Sequence, residues 1–598
     1  MKFENLSKIL EKIENINSRN EITQILSELF IKLEPQEAKL CSYLILGRLV
    51  PTYQSLEFNM ATKTIIKSIS LAFNISEKDV NLKYEQVGDI GQAVMTFSTN
   101  LQSGLSIEQV FNSLTSIAKD FGTGSIDRKI IALSKLLKGL DNLSSKYVVR
   151  IIEKKLRLGF SEMTIIDSLS FMFNGDKSLR VVLEDAFNVS ADIGNLVFLA
   201  KTKPIEEIEN IEVTVGIPIR SALPERIPSI AELFEKLGEH LVEPKFDGIR
   251  AQIHLDKSRE VEKKEKAQES IFVDAKPKYF VKIFSRSMED ITEMLPEIAE
   301  AVLKLKCDSV ILDCEVIGFN PDTKELLSFQ ETIKRRRKHD VKNTSDAIPL
   351  KAFAFDILYL NGKSLIKAPL NIRRDHIEKV LVDSMVINLI DINRVKTESE
   401  LQSIWQKYVD RGLEGVISKK EDAIYTPGKR NFNWIKLKKV NESSVEDTLD
   451  CVVMGYYLGK GARQKFGIGG FLVGILDNEN DQIESLSKVG TGLTEEEWVH
   501  LKSEIDKIKV ESKPDNFIVD KSLDVDVWAS PQLIVEVKAD EITLSPMHKA
   551  SSRYVQEGKG LALRFPRLIK IRDKTLQDST SSIEVYQIYN DQHGKNEI

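Results

Sequence analysis

The chain has 598 residues, too many for one core, and its length predicts roughly three or four domains. Hydrophobic residues make up 42% and charged residues 29%, an ordinary balance for a soluble globular protein. The 84 basic and 90 acidic residues give a net charge of −6. That total argues against a nucleic-acid binder only weakly, because binding depends on how charge is spread over a face.

The N-terminal MKFENLSKILEKIENI reads as an amphipathic helix carrying acids, not a secretory signal. Helical spacing continues to about residue 210, as in Ile130, Leu133, Leu137 and Leu140. Prolines 204, 218, 224 and 228 then cluster where the periodicity stops, which places a boundary near 215. From about 240, AQIHL, YFVKIF, SVILDCEVIGF, LKAFAFDILYL and GVISKK read as strands alternating with helices. The very charged stretch 256–278 reads as an exposed excursion between two of them. Beyond 440, CVVMGYYLG, GGFLVGIL and LIVEVKADEI are strands separated by Gly-rich turns, and their number predicts a small barrel. Cys41, Cys307, Cys314 and Cys451 form no CxxC pair, which predicts reduced thiols and no zinc site. No apolar run reaches the ~18 residues of a membrane span, so the expectation is a cytoplasmic protein with no membrane partner.

The chemistry concentrates in EPKFDGIR, residues 243–250. A lysine becomes a nucleophile only when its neutral form is favoured, by desolvation or by nearby positive charge. Arg250 can supply that charge to Lys245, and a guanidinium fork also holds phosphate oxygens. Gly248 lets backbone or ligand approach closely. Lysine attack on phosphorus would leave a phosphoramidate, so the stretch fits nucleotidyl transfer. Further candidates follow in order: Arg286 in SRSMED, Glu315 in DCEVIGF, Phe355 in FAFDILYLNG, Glu414 in EGVISKK, then Lys436 and Lys438 in WIKLKK, two apart and so on one strand face. Arg564 and Arg567 come last, in LRFPRLIKIRD. Taken singly, Glu315 reads as an ion-pair partner, Phe355 as core and the two lysines as a solvated face.

Taken in order, the set resembles the nucleotidyltransferase motifs of ATP-dependent DNA ligases of the archaeal and eukaryotic replicative type, shared with mRNA capping enzymes. The resemblance extends to GTGSIDRKI and LRLGF near the N-terminus and to KVGTGLTEEEW and DVWASPQLIVEVKADEITLSP near the C-terminus. It implies a multidomain fold: an all-α DNA-binding domain over 1–215, an α+β nucleotidyltransferase core with ATP-grasp-like antiparallel sheets over 216–440, and an OB-fold β-barrel over 441–598. It implies Lys245 as the group that takes AMP from ATP, with AMP then passed to the 5′-phosphate of a DNA nick and displaced by the 3′-hydroxyl. Glu243, Arg250, Arg286, Glu315, Phe355, Arg430, Lys436 and Lys438 match nucleotide-binding positions. Glu315 and Glu414 are the candidate ligands of Mg²⁺, a hard cation suited to carboxylate and phosphate oxygens. Asp247 is left among three roles: setting the lysine loop, meeting a ribose, or meeting a metal-bound water.

For the DNA partner, Arg128, Lys129 and Arg157 are phosphate candidates, and Arg564 and Arg567 lie in the barrel motif that helps orient pyrophosphate. The KRRRK run at 334–338 is expected to face DNA, and Lys460, Arg463 and Lys465 to let the barrel close over the duplex. Two features depart from the pattern. Lys245 and Arg286 are 286 − 245 = 41 residues apart, about twice the expected spacing, which the 256–278 excursion explains. The loop near 103 keeps Gln102 but lacks the aromatic pair that docks such ligases on the sliding clamp. A monomer is expected. The alternatives are an RNA-directed nucleotidyltransferase, such as a capping enzyme or RNA ligase, and a non-catalytic DNA clamp.

Overall fold

The computed structural model describes the chain except for residues 17, 88, 99–102, 228, 261–278, 322, 324, 328, 336–347, 382–383, 385, 439–447, 460–466, 540, 556–557 and 593–598. It divides into two compact units, one over residues 1–219 and one beginning at Arg220. The clamp loop around Gln102, the bulk of the 256–278 excursion and Lys460, Arg463 and Lys465 lie outside the described residues.

The first unit is built from helices. Helix Ile107–Lys119 shows why: Ser106 and Gln109 form a reciprocal capping box, and Ile107, Val110, Phe111, Leu114 and Ile117 recur three and four apart and are buried. Helix Ser125–Lys138 buries Leu133 and Leu137 in the same core.

The second unit begins with two sheets. The first has the order β1-β11-β10-β2-β9, from β1 (Leu223–Arg226), β2 (His240–Lys245), β9 (Asn393–Val395), β10 (Gly415–Lys419) and β11 (Arg430–Lys438). The second has the order β4-β3-β5-β6-β7, from β3 (Ile249–Glu260), β4 (Tyr279–Ser285), β5 (Ser309–Gly318), β6 (Leu350–Leu360) and β7 (Lys363–Ser364), with β8 (Ile387–Leu389) on β6. Strand periodicity gives the first sheet two chemically distinct faces. Val242, Val416, Ile435 and Leu437 point to an apolar core that includes Leu233 and Leu237 of helix Ile230–Leu237 and Leu401 and Tyr408 of helix Glu398–Asp410. The alternate positions, Glu243, Lys245, Ile417, Lys419, Trp434, Lys436 and Lys438, line a cleft.

The C-terminal strands form an eight-stranded sheet with β12 (Leu449–Tyr457), β13 (Gly470–Asp477) and β14 (Gln482–Val489) at its centre. β18 (Ile534–Lys538) joins β12 to β21 (Arg567–Arg572), and β19 (Glu541–Ser545) pairs separately with β20 (Gly560–Arg564). The last described helix is Ser582–Gln592. No helix among the described residues is long and apolar enough to cross a membrane.

Candidate active site

Lys245 ends β2, and Ile249 begins β3 in the other sheet. Only Phe246, Asp247 and Gly248 carry the chain across. Phe246 stacks on Phe353 of β6, with ring centroids 4.6 Å apart. Gly248 has to be glycine, because a Cβ there would stand 2.5 Å from the carbonyl oxygen of Val316 on β5. The close approach anticipated at this glycine is therefore made by the chain's own backbone. The Gly248 N–H also donates to Glu315 at 3.2 Å.

Register brings the other groups to this seam. Arg250 lies opposite Glu315 across β3 and β5. Lys245 and Lys438 both lie opposite Gly415, on either side of β10. Gly415 sits at φ +136°, where a Cβ would meet the Leu437 carbonyl oxygen at 2.1 Å. Glu414, just before it, accepts a hydrogen bond from Lys245 Nζ.

Electrostatics at Lys245 differ from the sequence expectation. Burial works against the ammonium, but the Glu414 carboxylate outweighs it and holds Lys245 above the ordinary lysine range. Arg250, expected to depress Lys245, is occupied by Asp313 in a two-pronged pair of 3.0 and 2.6 Å. Asp313 is fully buried and also accepts from the Tyr425 hydroxyl at 2.8 Å. The cation that does act to lower Lys245 is Arg572 of β21. Burial pushes Glu315 up to about 7, against the pull of Lys245, Arg250 and Arg286. Burial likewise drives Lys436 well below its usual range.

The cleft also has an aromatic and amphipathic floor. Phe355 meets Trp434 edge to face, with Arg250 over its ring at 5.2 Å and Lys419 at 4.8 Å. Lys419 pairs with Glu243 at 2.6 Å, both buried, and the second Glu243 oxygen, Oε1, has no partner. A buried acceptor left open beside an aromatic wall suits a ligand that brings its own N–H.

The C-terminal strands complete the site. Asp247 accepts from Lys570 and lies 3.4 Å from Arg572, so the lysine loop is held by β21. Arg572 also stands 3.5 Å from Glu414. Arg286 pairs with Asp578, and Arg430 with Glu584 at 2.7 Å. Lys574 reaches the cleft as well, and burial lowers it to about 7.

Of the residues singled out in the sequence, Glu243, Lys245, Arg250, Arg286, Glu315, Phe355, Arg430, Lys436 and Lys438 line this one cleft, and Glu414 touches it through Lys245. Arg286 follows β4 directly, so the long excursion leaves its placement intact. Others fall elsewhere. Arg564 is exposed and donates to Thr543, and neither it nor Arg567 lines the cleft; Arg572 and Lys574, five to ten residues on, line it, and Lys570 touches it through Asp247. Lys129 is 5% exposed and donates to the Phe58 carbonyl at 2.6 Å, so it caps a buried backbone group instead of meeting phosphate. Arg128 is exposed and paired with Asp120 at 2.6 Å. Arg157 is half-buried, 3.6 Å from the Asp89 carboxylate that neutralises Arg150. Within KRRRK, residues 336–338 lie outside the described residues, while Arg335 is buried and bound to Glu297 at 2.7 Å, so it does not present a DNA-facing charge. Asp313, Tyr425 and Lys419 were missed; Asp313 shares a strand face with Glu315, and two acids two apart in an apolar strand were the clue.

Two sheets with a half-buried lysine at their seam, ringed by lysines, arginines and two carboxylates, define a nucleotidyltransferase. Three family models match in chain order: DNA ligase N terminus over 2–170, ATP dependent DNA ligase domain over 271–438, and ATP dependent DNA ligase C terminal region over 464–575. A probable DNA ligase of Dictyoglomus turgidum is 40% identical over 595 residues, covering 99% of this chain and 98% of that one. A DNA ligase of Sulfurisphaera tokodaii is 34% identical over 608 residues, covering 98% and 97%. Among solved structures, a mycobacterial DNA ligase D complexed with ATP and MES matches 60% of this chain and 97% of its own at 22% identity, with a TM-score of 0.34, too loose a likeness to bear on domain arrangement. The chain belongs to the ATP-dependent DNA ligases.

Proposed function

We propose that this protein seals 5′-phosphate/3′-hydroxyl nicks in duplex DNA, serving replication, repair and recombination, and that Lys245 is the residue joined to AMP on the way. The observation that carries this reading is the convergence of Lys245, Glu315, Phe355, Arg286, Arg430, Lys436 and Lys438 on one cleft from five different strands or their ends. Phosphoryl transfer asks for positioning and for fixed charge where oxygen charge develops, and this cleft supplies both.

The base of the nucleotide fits against Phe355, with the open Glu243 oxygen as acceptor for an exocyclic amine. Lys436, Lys438, Arg430 and Arg286 face its phosphates, and Lys570, Arg572 and Lys574 stand where the leaving pyrophosphate would be oriented. Lys245 must lose its proton before it attacks. Once the Glu414 contact is given up, burial and Arg572 act on the lysine together, and both favour the neutral amine. Two carboxylates near one phosphate site suit Mg²⁺, which takes few protein oxygens and completes its shell from phosphate and water. Glu315 and Glu414 would hold it, and it would supply charge neutralisation at the phosphates. Among the described residues no cluster of three or more His, Cys, Asp or Glu forms a protein-only cage.

In the same reading residues 1–215 are the DNA-binding domain, 216–440 the ATP-grasp-like adenylation domain and 441–598 an OB-fold, and the chain works as a cytoplasmic monomer. Docking on a sliding clamp would need a surface other than the Gln102 loop. The test is incubation with Mg²⁺ and α-labelled ATP, followed by a chase with nicked DNA. The expected result is a labelled protein that transfers its label, and Lys245→Ala should lose the adduct. Label from GTP alone would point to a capping enzyme, and a labelled K245A protein would remove Lys245 from its role.

A further inference from the structure

Asp578 closes the short turn Leu576–Asp578, beyond β21 and 578 − 286 = 292 residues after Arg286. Its Oδ2 accepts from the Thr575 backbone N–H at 3.1 Å and from the Thr575 hydroxyl at 2.8 Å. Its Oδ1 accepts from Arg286 Nη2. The carboxylate is therefore fixed by its own turn, independently of the arginine it meets. Burial would push this acid up, but the charge and hydrogen bond of Arg286 hold it below its usual range, so it stays ionised.

Arg286 is the complementary half. It leaves β4 on the other side of the cleft and lines it, and its Nε is buried without a partner. Asp578 thus takes one donor of the guanidinium and leaves an adjacent one unsatisfied. The guanidinium is a rigid fork, so fixing one N–H fixes the direction of the others. A buried donor with no acceptor is costly unless a ligand supplies one.

Building on the nucleotidyl-transfer reading above, we infer that Asp578 is a positioning residue for the nucleotide: its carboxylate, carried in from the C-terminal strands, sets the Arg286 guanidinium so that its free N–H groups meet phosphate oxygens beside Lys245. Arg286 is then aligned only while the turn at 576–578 is seated. The dependence falls on the attachment of AMP to Lys245, which involves a triphosphate, and spares the final joining of strands, which does not.

The test compares Asp578→Asn, Arg286→Ala and the double variant with the unaltered chain. Two rates are measured: formation of the covalent AMP adduct against ATP concentration, and sealing of a nick already carrying AMP on its 5′-phosphate. Asp578→Asn keeps size and leaves an oxygen for Thr575, and thermal melting reports whether the fold survives. The expected result is a rise in the KM for ATP of roughly ten-fold or more for D578N. Sealing of the pre-adenylated nick should be unchanged, and D578N should add nothing in the R286A background. Adduct formation that is unchanged or faster in D578N would overturn the inference, the latter by showing that Asp578 competes with phosphate for Arg286. An equal loss in both rates would also overturn it, by making Asp578 merely structural. Failure of the unaltered chain to form any adduct would instead strike the nucleotidyl-transfer reading, and this inference with it.

Discussion

Replacing Gly248 by alanine tests whether Lys245, the proposed nucleophile, is placed by backbone packing. The new Cβ would sit 2.5 Å from the Val316 carbonyl oxygen and 2.7 Å from Ile317 Cγ1, where side-chain carbons essentially never come within 3.0 Å. The backbone oxygen belongs to β5, which is paired on both edges, by β3 and β6, and cannot swing aside as a side chain would. The crossing segment must therefore lift by at least half an ångström, and Lys245, three residues back, is carried with it. Overpacking of this kind costs about 1–3 kcal/mol of stability. The larger effect falls on rate, because a displacement near 1 Å at a reacting group costs on the order of 100-fold. A half-ångström shift then predicts roughly a ten-fold slower adduct formation at saturating ATP. Single-turnover labelling with α-labelled ATP measures this directly, and a melting curve separates misfolding from misplacement. A G248A protein that forms its adduct at the unaltered rate would refute the idea that contact with β5 sets the lysine.

Three further outcomes follow from the same geometry. Lys129→Met should lower stability by about 1–3 kcal/mol in denaturant melts, since the Phe58 carbonyl loses its buried donor. The same variant should leave the salt dependence of DNA binding unchanged, whereas loss of a true phosphate contact would reduce that slope by about 1. Asp450, buried between Lys574 and Arg572, is pushed up by burial but held well below the usual carboxylate range by those cations. Its stabilising contribution is therefore present above the unfolded value near 3.8 and disappears as pH falls through the depressed folded one. Asp450→Asn should destabilise by about 3 kcal/mol at pH 7, with the difference from the unaltered chain shrinking below about pH 4 in urea melts at stepped pH.

What could be read in the sequence was whatever depends on order along one strand or one helix. The strand segments around AQIHL and LKAFAFDILYL, the pair Lys436 and Lys438, and the row of motif residues all obey local rules, and the structure brings nine of the singled-out residues to the cleft with Glu414 beside it. What could not be read depends on which distant groups meet. Arg250 looked like the cation acting on Lys245 because it is five residues away, but a buried carboxylate 63 residues on captured it. Lys129 looked like a phosphate contact because it sits near a glycine-rich helix start, yet its side chain turns inward. Arg564 and Arg567 were drawn by the same proximity to a motif, and it is Arg572, Asp573 and Lys574, just beyond them, that line the cleft.

The pairing of Asp247 and Glu414 with Lys570 and Arg572 has a temporal consequence. Those cations come 570 − 245 = 325 residues or more after Lys245, so a growing chain carries that amine a long way before its surroundings are complete. A nascent chain that stops short of β21 leaves this amine beside Glu414 without Arg572 to oppose the carboxylate.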